Sequence, residues 1–158
     1  MVEVKFADIG ALESAKRTLH ELITLPLEQP HWFHRGILSH ATSGVLLFGP
    51  PGTGKTMLAK AVAAQSGACF LAVNSASIYD MYVGEGEKNA RALFSLARRL
   101  SPCVLFIDEV DALLDSRDNG VGRASRIEVM NELMSEWDGL LSAKQARVMV
   151  MAATNRPF

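Results

Sequence analysis

Apolar positions along the chain fall into runs of two kinds, one at helical spacing and one continuous and short. Leu12, Ala15, Leu19, Leu22 and Ile23 recur every three or four residues until Pro26 and Pro30 interrupt them, which predicts a first helix ending near Thr24. A loop with one helical turn around Trp32 is expected to follow. Gly44-Val45-Leu46-Leu47-Phe48 is a short apolar run that stops at a Gly/Pro cluster, the pattern of a strand buried on both faces. Met57, Leu58, Ala61 and Val62 then predict a second helix, closed by Gly67. Cys69 to Val73 reads as a second strand. Ala90, Leu93, Phe94, Ala97 and Leu100 predict a third helix that stops before Pro102, and Cys103 to Asp108 a third strand. Val129, Met130, Leu133, Met134 and Trp137 line a fourth helix ending near Gly139, and Arg147 to Ala153 gives a fourth strand.

Strands alternating with helices imply an α/β fold: a parallel sheet with right-handed crossovers and helices on both faces. Ligands of such sheets bind at the carboxyl ends of the strands. A length of 158 residues, 49% of them hydrophobic, fits one domain spanning residues 1–158. A formal net charge of -1, from 16 basic and 17 acidic residues, supplies no basic surface for nucleic acid or an anionic membrane. Cys69 and Cys103 lie in apolar or aromatic surroundings and read as two buried thiols of an intracellular protein. The apolar runs fall short of the roughly 20 residues that span a bilayer, so any membrane anchor would lie outside this chain.

At the end of the first predicted strand, Gly49-Pro50-Pro51-Gly52-Thr53-Gly54-Lys55-Thr56 satisfies G-x-x-x-x-G-K-[ST] between a strand and a helix, the context in which that spacing binds phosphate. Glycines let the backbone curl until successive N–H groups point at phosphate oxygens, and the helix opening at Lys55 and Thr56 and running through Met57 adds its positive end. Lys55 is expected to reach the β- and γ-phosphates and the Thr56 hydroxyl to ligate magnesium. Val104-Leu105-Phe106-Ile107-Asp108-Glu109 places two carboxylates at the tip of an apolar strand, where burial is costly unless positive charge is near. Asp108 is the expected magnesium partner, through water, and Glu109 the residue that polarises an attacking water. Asn155, just past the fourth strand, is a candidate to hold that water or the γ-phosphate.

The GPPGTGKT loop, the FIDE strand end, the ATNRP segment and the opening Phe6-Ala7-Asp8-Ile9-Gly10 together resemble the AAA family of ATPases over nearly the whole chain. The resemblance implies a P-loop NTPase three-layer α-β-α sandwich with strands in the order five-one-four-three-two, ATP and Mg2+ as ligands, and a ring, usually a hexamer. It assigns Asn155 a sensor role and sets the backbone at Asp8, Ile9 and Gly10 against adenine. Tyr82-Val83-Gly84-Glu85-Gly86-Glu87-Lys88 looks like the first pore loop, with Tyr82 and Val83 gripping a protein substrate. Asp115 to Gly122 would then be the second, with Arg117 or Arg123 as polar contacts.

Within the family the pattern is similar to the meiotic clade. Ile23-Thr24-Leu25-Pro26-Leu27, Trp137-Asp138-Gly139 and Ala146-Arg147-Val148-Met149-Val150 look more like the translocase that extracts proteins from the mitochondrial outer membrane, on its cytosolic face. The Tyr82 to Lys88 segment looks more like the microtubule-severing katanin, spastin and fidgetin, beside which stands the ESCRT-disassembling ATPase. Extraction or remodelling of a protein through a ring pore is therefore the expected activity, with severing the alternative and a non-hydrolysing nucleotide switch less favoured, because Lys55 and Glu109 are both in place. Relatives continue past the position of Phe158 into trans-acting arginines, a fifth strand and a helical lid, so the chain is expected to be an incomplete large subdomain, nearly inactive alone.

Overall fold

The structure, a computed structural model, describes residues 9–10, 13–29, 44–79, 86–114, 122–142 and 147–156. Its elements run α1 (Glu13–Leu19), a π-helical turn (His20–Thr24), α2 (Leu25–Glu28), β1 (Gly44–Phe48), α3 (Lys55–Gln65), β2 (Cys69–Asn74) and α4 (Ser75–Tyr79). They continue with α5 (Gly86–Arg99), β3 (Cys103–Asp108), α6 (Asp111–Leu114), α7 (Gly122–Ser142) and β4 (Val148–Thr154). The strands form one parallel sheet in the order β1-β4-β3-β2, which agrees with the order implied by the resemblance.

Side chains alternate across the sheet, so each strand feeds two cores. On one face Val104, Phe106, Met149, Met151 and Ala153 pack with Leu19, Ile23, Leu58, Ala59 and Val62 from the first helices and α3. On the other, Leu105, Ile107, Val148 and Val150 meet Ala90, Phe94 and Ala97 of α5 and Val129, Leu133 and Leu140 of α7. The spacing 90, 93, 94 and 97 is what gives α5 its apolar stripe. Its polar flank is tied to α7 by Arg91–Glu132 and Arg98–Glu136 ion pairs. The Arg91 guanidinium beside Glu132 holds that carboxyl below the usual carboxylate range.

Several boundaries differ from the sequence expectation, each for a local reason. The first helix does not stop near Thr24 but continues to Glu28 through Pro26. Leu25 N–H bonds back five residues to the His20 carbonyl, and that widened turn relieves the clash a proline ring makes with the carbonyl four residues before it. The fourth helix passes Gly139 and reaches Ser142 because Leu140 is buried in the core. Burying a leucine is worth roughly 1.5–3 kcal/mol, against about 1 kcal/mol lost to a helical glycine. Gly67 does close α3, at φ +64, with Gly67 N–H on the Ala64 carbonyl and Ala68 N–H on that of Ala63.

The first strand is not buried on both faces. It lies at the sheet's edge among the described residues, with Val45 and Leu47 packed against the α3 side and Leu46 and Phe48 left 55% and 67% exposed. On that second face α7 reaches only the strand's start: a Cβ on Gly44 would sit 2.0 Å from the Trp137 indole. Glycine at 44 is thus the space into which the tryptophan packs. Cys69 also departs from expectation, being exposed while Cys103 is buried. No helix of the described residues is long and apolar enough to cross a membrane.

Candidate functional site

All four strands point their carboxyl ends the same way, and the predicted chemistry gathers there. The loop from Gly49 to Gly54 leaves β1 and turns with Gly52 at φ +80 and Gly54 at φ +85, backbone that L side chains rarely adopt. Gly54 caps α3, its carbonyl accepting from Leu58 N–H at 2.8 Å. The Thr53 hydroxyl donates to the Pro50 carbonyl at 2.8 Å, and Gly49 N–H reaches the Thr154 carbonyl at 3.3 Å. The loop is thereby fastened at its near end to β4. Lys55, first residue of α3, points its ammonium back along the loop to the carbonyls of Gly49 (2.7 Å) and Pro50 (3.0 Å) and to Asn155 Oδ1 (2.9 Å). Three donors meet three oxygens, and two residues a hundred positions apart in sequence share one contact.

Beside the lysine, Thr56 Oγ1 lies 3.4 Å from Asp108 Oδ2, while Asp108 Oδ1 accepts Glu109 N–H at 2.9 Å. A hydroxyl and a carboxylate oxygen side by side form a hard oxygen donor set that fits magnesium, which takes few protein ligands and keeps its waters. No cluster of three or more His, Cys, Asp or Glu able to hold a metal occurs among the described residues.

Glu109 sits just past the last residue of β3 with φ +54, a left-handed backbone costing a non-glycine residue roughly 1–2 kcal/mol. Its surroundings hold it there. The Ser75 hydroxyl donates to the Glu109 carbonyl at 2.6 Å and Ala112 N–H to the same oxygen at 2.9 Å, while Val110 N–H bonds the Ala153 carbonyl at 3.0 Å. The Glu109 carboxylate accepts from Asn74 Nδ2 at 3.0 Å, and the Asn74 amide is fixed in turn by Ala76 N–H on its oxygen at 2.8 Å. Left-handed backbone thus goes with a glutamate carboxylate that lies within reach of Asn74 at the end of β2.

Asn74 and Ser75 were not singled out from sequence, although Asn74 ends β2 opposite Asp108 and Ser75 follows it at the start of α4. The rule that ligands sit at strand carboxyl ends would have found them. Asp111 was missed as well. Its Oδ1 accepts from the Thr154 hydroxyl at 3.0 Å and its Oδ2 lies 3.8 Å from Arg156 Nε, so one carboxylate holds both residues that flank Asn155.

Not every sequence candidate lies within the described residues. Asp8 does not, nor do Tyr82, Val83, Glu85 and Arg117. Gly86, read as part of the pore-loop segment, instead begins α5 and is buried, where a Cβ would meet Val129 Cγ2 at 2.4 Å. Its lack of a side chain is what lets Val129 of α7 pack against α5 there. Arg123 falls in the first turn of α7. Ile9 packs against the cluster containing Leu58, and its carbonyl accepts from Lys16 Nζ. Pro50, Pro51 and Met57 are exposed in and just after the loop, and Gly10 is exposed as well.

Residues 45–158 match the family "ATPase family associated with various cellular activities (AAA)". The chain is 54% identical over 154 residues to spastin of Xenopus laevis, covering 98% of this chain and 25% of that protein. It is 53% identical to spastin of Homo sapiens, again over 98% of the chain and 24% of the relative. Among solved structures, the FIGL-1 AAA domain in complex with ADP superposes with a TM-score of 0.84 at 44% identity, over 99% of this chain and 50% of that one. The FIGL-1 AAA domain by itself gives the same TM-score at 45% identity. The chain thus spans about a quarter of the length of the curated relatives it matches. The relatives matched are spastin and FIGL-1, so the similarity backs the severing alternative better than the mitochondrial extractor to which the Ile23–Leu27, Trp137–Gly139 and Ala146–Val150 segments point.

Proposed function

This chain belongs to the AAA family of ATPases, and from that premise we propose that it binds ATP with magnesium at the strand carboxyl ends and hydrolyses it within a ring that remodels a protein polymer. The observation that carries the reading is the convergence on one corner of Lys55 with Asn155, Thr56 with Asp108, and Glu109 with Asn74. The ADP in the similar FIGL-1 domain supports a nucleotide here.

In this reading the backbone N–H groups from Gly49 to Thr56 cradle the phosphates, and Met57, Ile9 and Gly10, with Asp8 before them, flank the base. Lys55 neutralises the β- and γ-phosphate oxygens. Thr56 and Asp108 would hold magnesium, which supplies neutralisation of charge on the phosphates when bound. Glu109 orients a water in line with the γ-phosphorus and draws off its proton, and Asn155 hydrogen-bonds the water or the γ-phosphate without competing for that proton. Tyr82 and Val83 would grip substrate in the ring's pore. The whole of residues 1–158 is then one large α/β subdomain of each ring subunit.

Similarity to spastin makes microtubules the substrate we put first. Full-length protein with magnesium and ATP should introduce internal breaks in stabilised fluorescent microtubules, and Lys55→Ala should abolish them with at least about tenfold weaker binding of a fluorescent ATP analogue, the cost of losing charge-assisted hydrogen bonds. Intact microtubules together with release of tail-anchored proteins from outer-membrane vesicles would transfer the reading to the extractor. Unchanged analogue affinity in Lys55→Ala would remove the nucleotide assignment altogether.

A further inference from the structure

The two cysteines of this chain, 34 positions apart, are brought side by side at the end of the sheet opposite the nucleotide corner. Cys69 opens β2 and Cys103 opens β3, and the two are direct register partners in the parallel ladder. Cys103 faces the core shared with α5 and α7, and Leu71 and Val73, on the same side of β2 as Cys69 by strand alternation, pack against that core too. Both thiols therefore stand on one face, side by side at the start of neighbouring strands. Neighbouring strands run about 4.8 Å apart, inside the Cα separation of roughly 4.4–6.8 Å that a disulfide spans. Their exposures are opposite: Cys69 is open to solvent and Cys103 is fully buried.

We propose that Cys69 and Cys103 form a reversible oxidation site, in which a peroxide oxidises the exposed Cys69 and the buried Cys103 resolves it as an intramolecular cross-strand disulfide. In the first step the Cys69 sulfur attacks hydrogen peroxide, the O–O bond breaks, and Cys69 sulfenic acid and one water form. In the second the Cys103 sulfur displaces the sulfenic hydroxyl, the S–S bond forms, and the thiol proton leaves with that hydroxyl as a second water. The dithiol loses two electrons and the peroxide gains them. The order of events follows from access, since an oxidant in solvent meets Cys69 first. Burial and the neighbouring Cys69 push the Cys103 thiol up to about 11, so Cys103 is a weak nucleophile toward reagents in solution and depends on contact with its partner. A resolving thiol in contact also spares Cys69 from the irreversible sulfinic and sulfonic states.

The chain is tested in its reduced, folded form with hydrogen peroxide, followed by alkylation in denaturant and peptide mass analysis. Complete loss of both alkylatable thiols, a linked pair of peptides carrying Cys69 and Cys103 in a monomer, and full recovery after dithiothreitol are expected. Irreversible oxidation of Cys69 with Cys103 still alkylatable would overturn the proposal, as would a disulfide only between two chains. In Cys103→Ser the sulfenic acid on Cys69 should persist and be trapped by dimedone; no labelling there would overturn the order of events. The same oxidation begun in denaturant should form the internal disulfide more slowly than in the folded chain, and an equal or faster rate would show that the strand pairing contributes nothing.

Discussion

The bodies and the carboxyl ends of β3 and β4 are consecutive stretches of the same two strands, yet they obey opposite rules. From Cys103 to Phe106 and along the whole of β4 the side chains are buried, the backbone is paired strand to strand, and no acidic or basic side chain intervenes. Asp108 closes the ladder opposite Asn74, and from Glu109, as from Asn155 and Arg156, the chain leaves it, with charge at Asp108, Glu109 and Arg156 and a strained backbone at Glu109. The difference teaches that the strain is tolerated because the bodies overdetermine where the ends must lie. The contacts from Asn74 to Glu109 and from Lys55 to Asn155 join chain segments whose separation is set by the register of the ladder that precedes them.

The comparison breaks most completely if a body is damaged. Phe106 has no exposed surface, lies against Phe70 with ring centroids 6.0 Å apart, and is central to the core on the α3 side. Phe106→Ala should cost about 3–5 kcal/mol, a large share of the roughly 5–15 kcal/mol that holds a domain folded. Urea unfolding followed by circular dichroism should show the shift, and nucleotide-analogue binding should fall with the folded fraction. A stable Phe106→Ala chain that still lost binding would show that the bodies do more than support the ends.

Damage at an end should do the reverse. Glu109→Gln keeps the shape and removes the proposed base, so in the full-length assembly turnover should drop by about 10²–10⁴-fold, the range for a general base, while analogue affinity and the unfolding midpoint stay near those of the parent. Phosphate release and analogue titration on the same preparation read both quantities. Retained turnover would move the base to another residue.

How legible each region was in the sequence follows the same division. Bodies announce themselves: Val104 to Ile107 and Val148 to Ala153 are apolar runs that a ladder must bury, and their order in the sheet agrees with the implied one. The Gly49–Gly54 turn into α3 was legible because its glycines and lysine have fixed spacing along the chain. Contacts between ends were not, since Asn74 and Asp111 gain their partners only when register brings separate strands together. Pro26 misled because a π turn can absorb a proline, and Gly139 because Leu140 outweighs it. Gly44-Val45-Leu46-Leu47-Phe48 misled differently: continuous apolarity does not reveal which face of an edge strand is covered.

The smallest change concerns Asn74, which touches Glu109 from a strand that carries no acid. Its amide nitrogen donates to Glu109 Oε2 at 3.0 Å and its oxygen is occupied by Ala76 N–H, so the side chain is itself fixed and can hold the glutamate in one direction. Both groups are at the surface, where water can replace the lost donor, so stability should hardly change in Asn74→Ala. What the substitution removes is direction. A hydrogen bond to a charged group is worth roughly 1.5–3 kcal/mol at most in such comparisons, and screening at an exposed site lowers it, so turnover of the assembled protein should fall by about tenfold or less with analogue affinity unaltered. Asn74→Asp sharpens the reading, because a carboxylate facing Glu109 repels it and should lower turnover further than alanine does. If alanine instead raises turnover, the Asn74 bond parks the glutamate away from its water, and the ends of β2 and β3 would then be a brake on the site rather than its alignment.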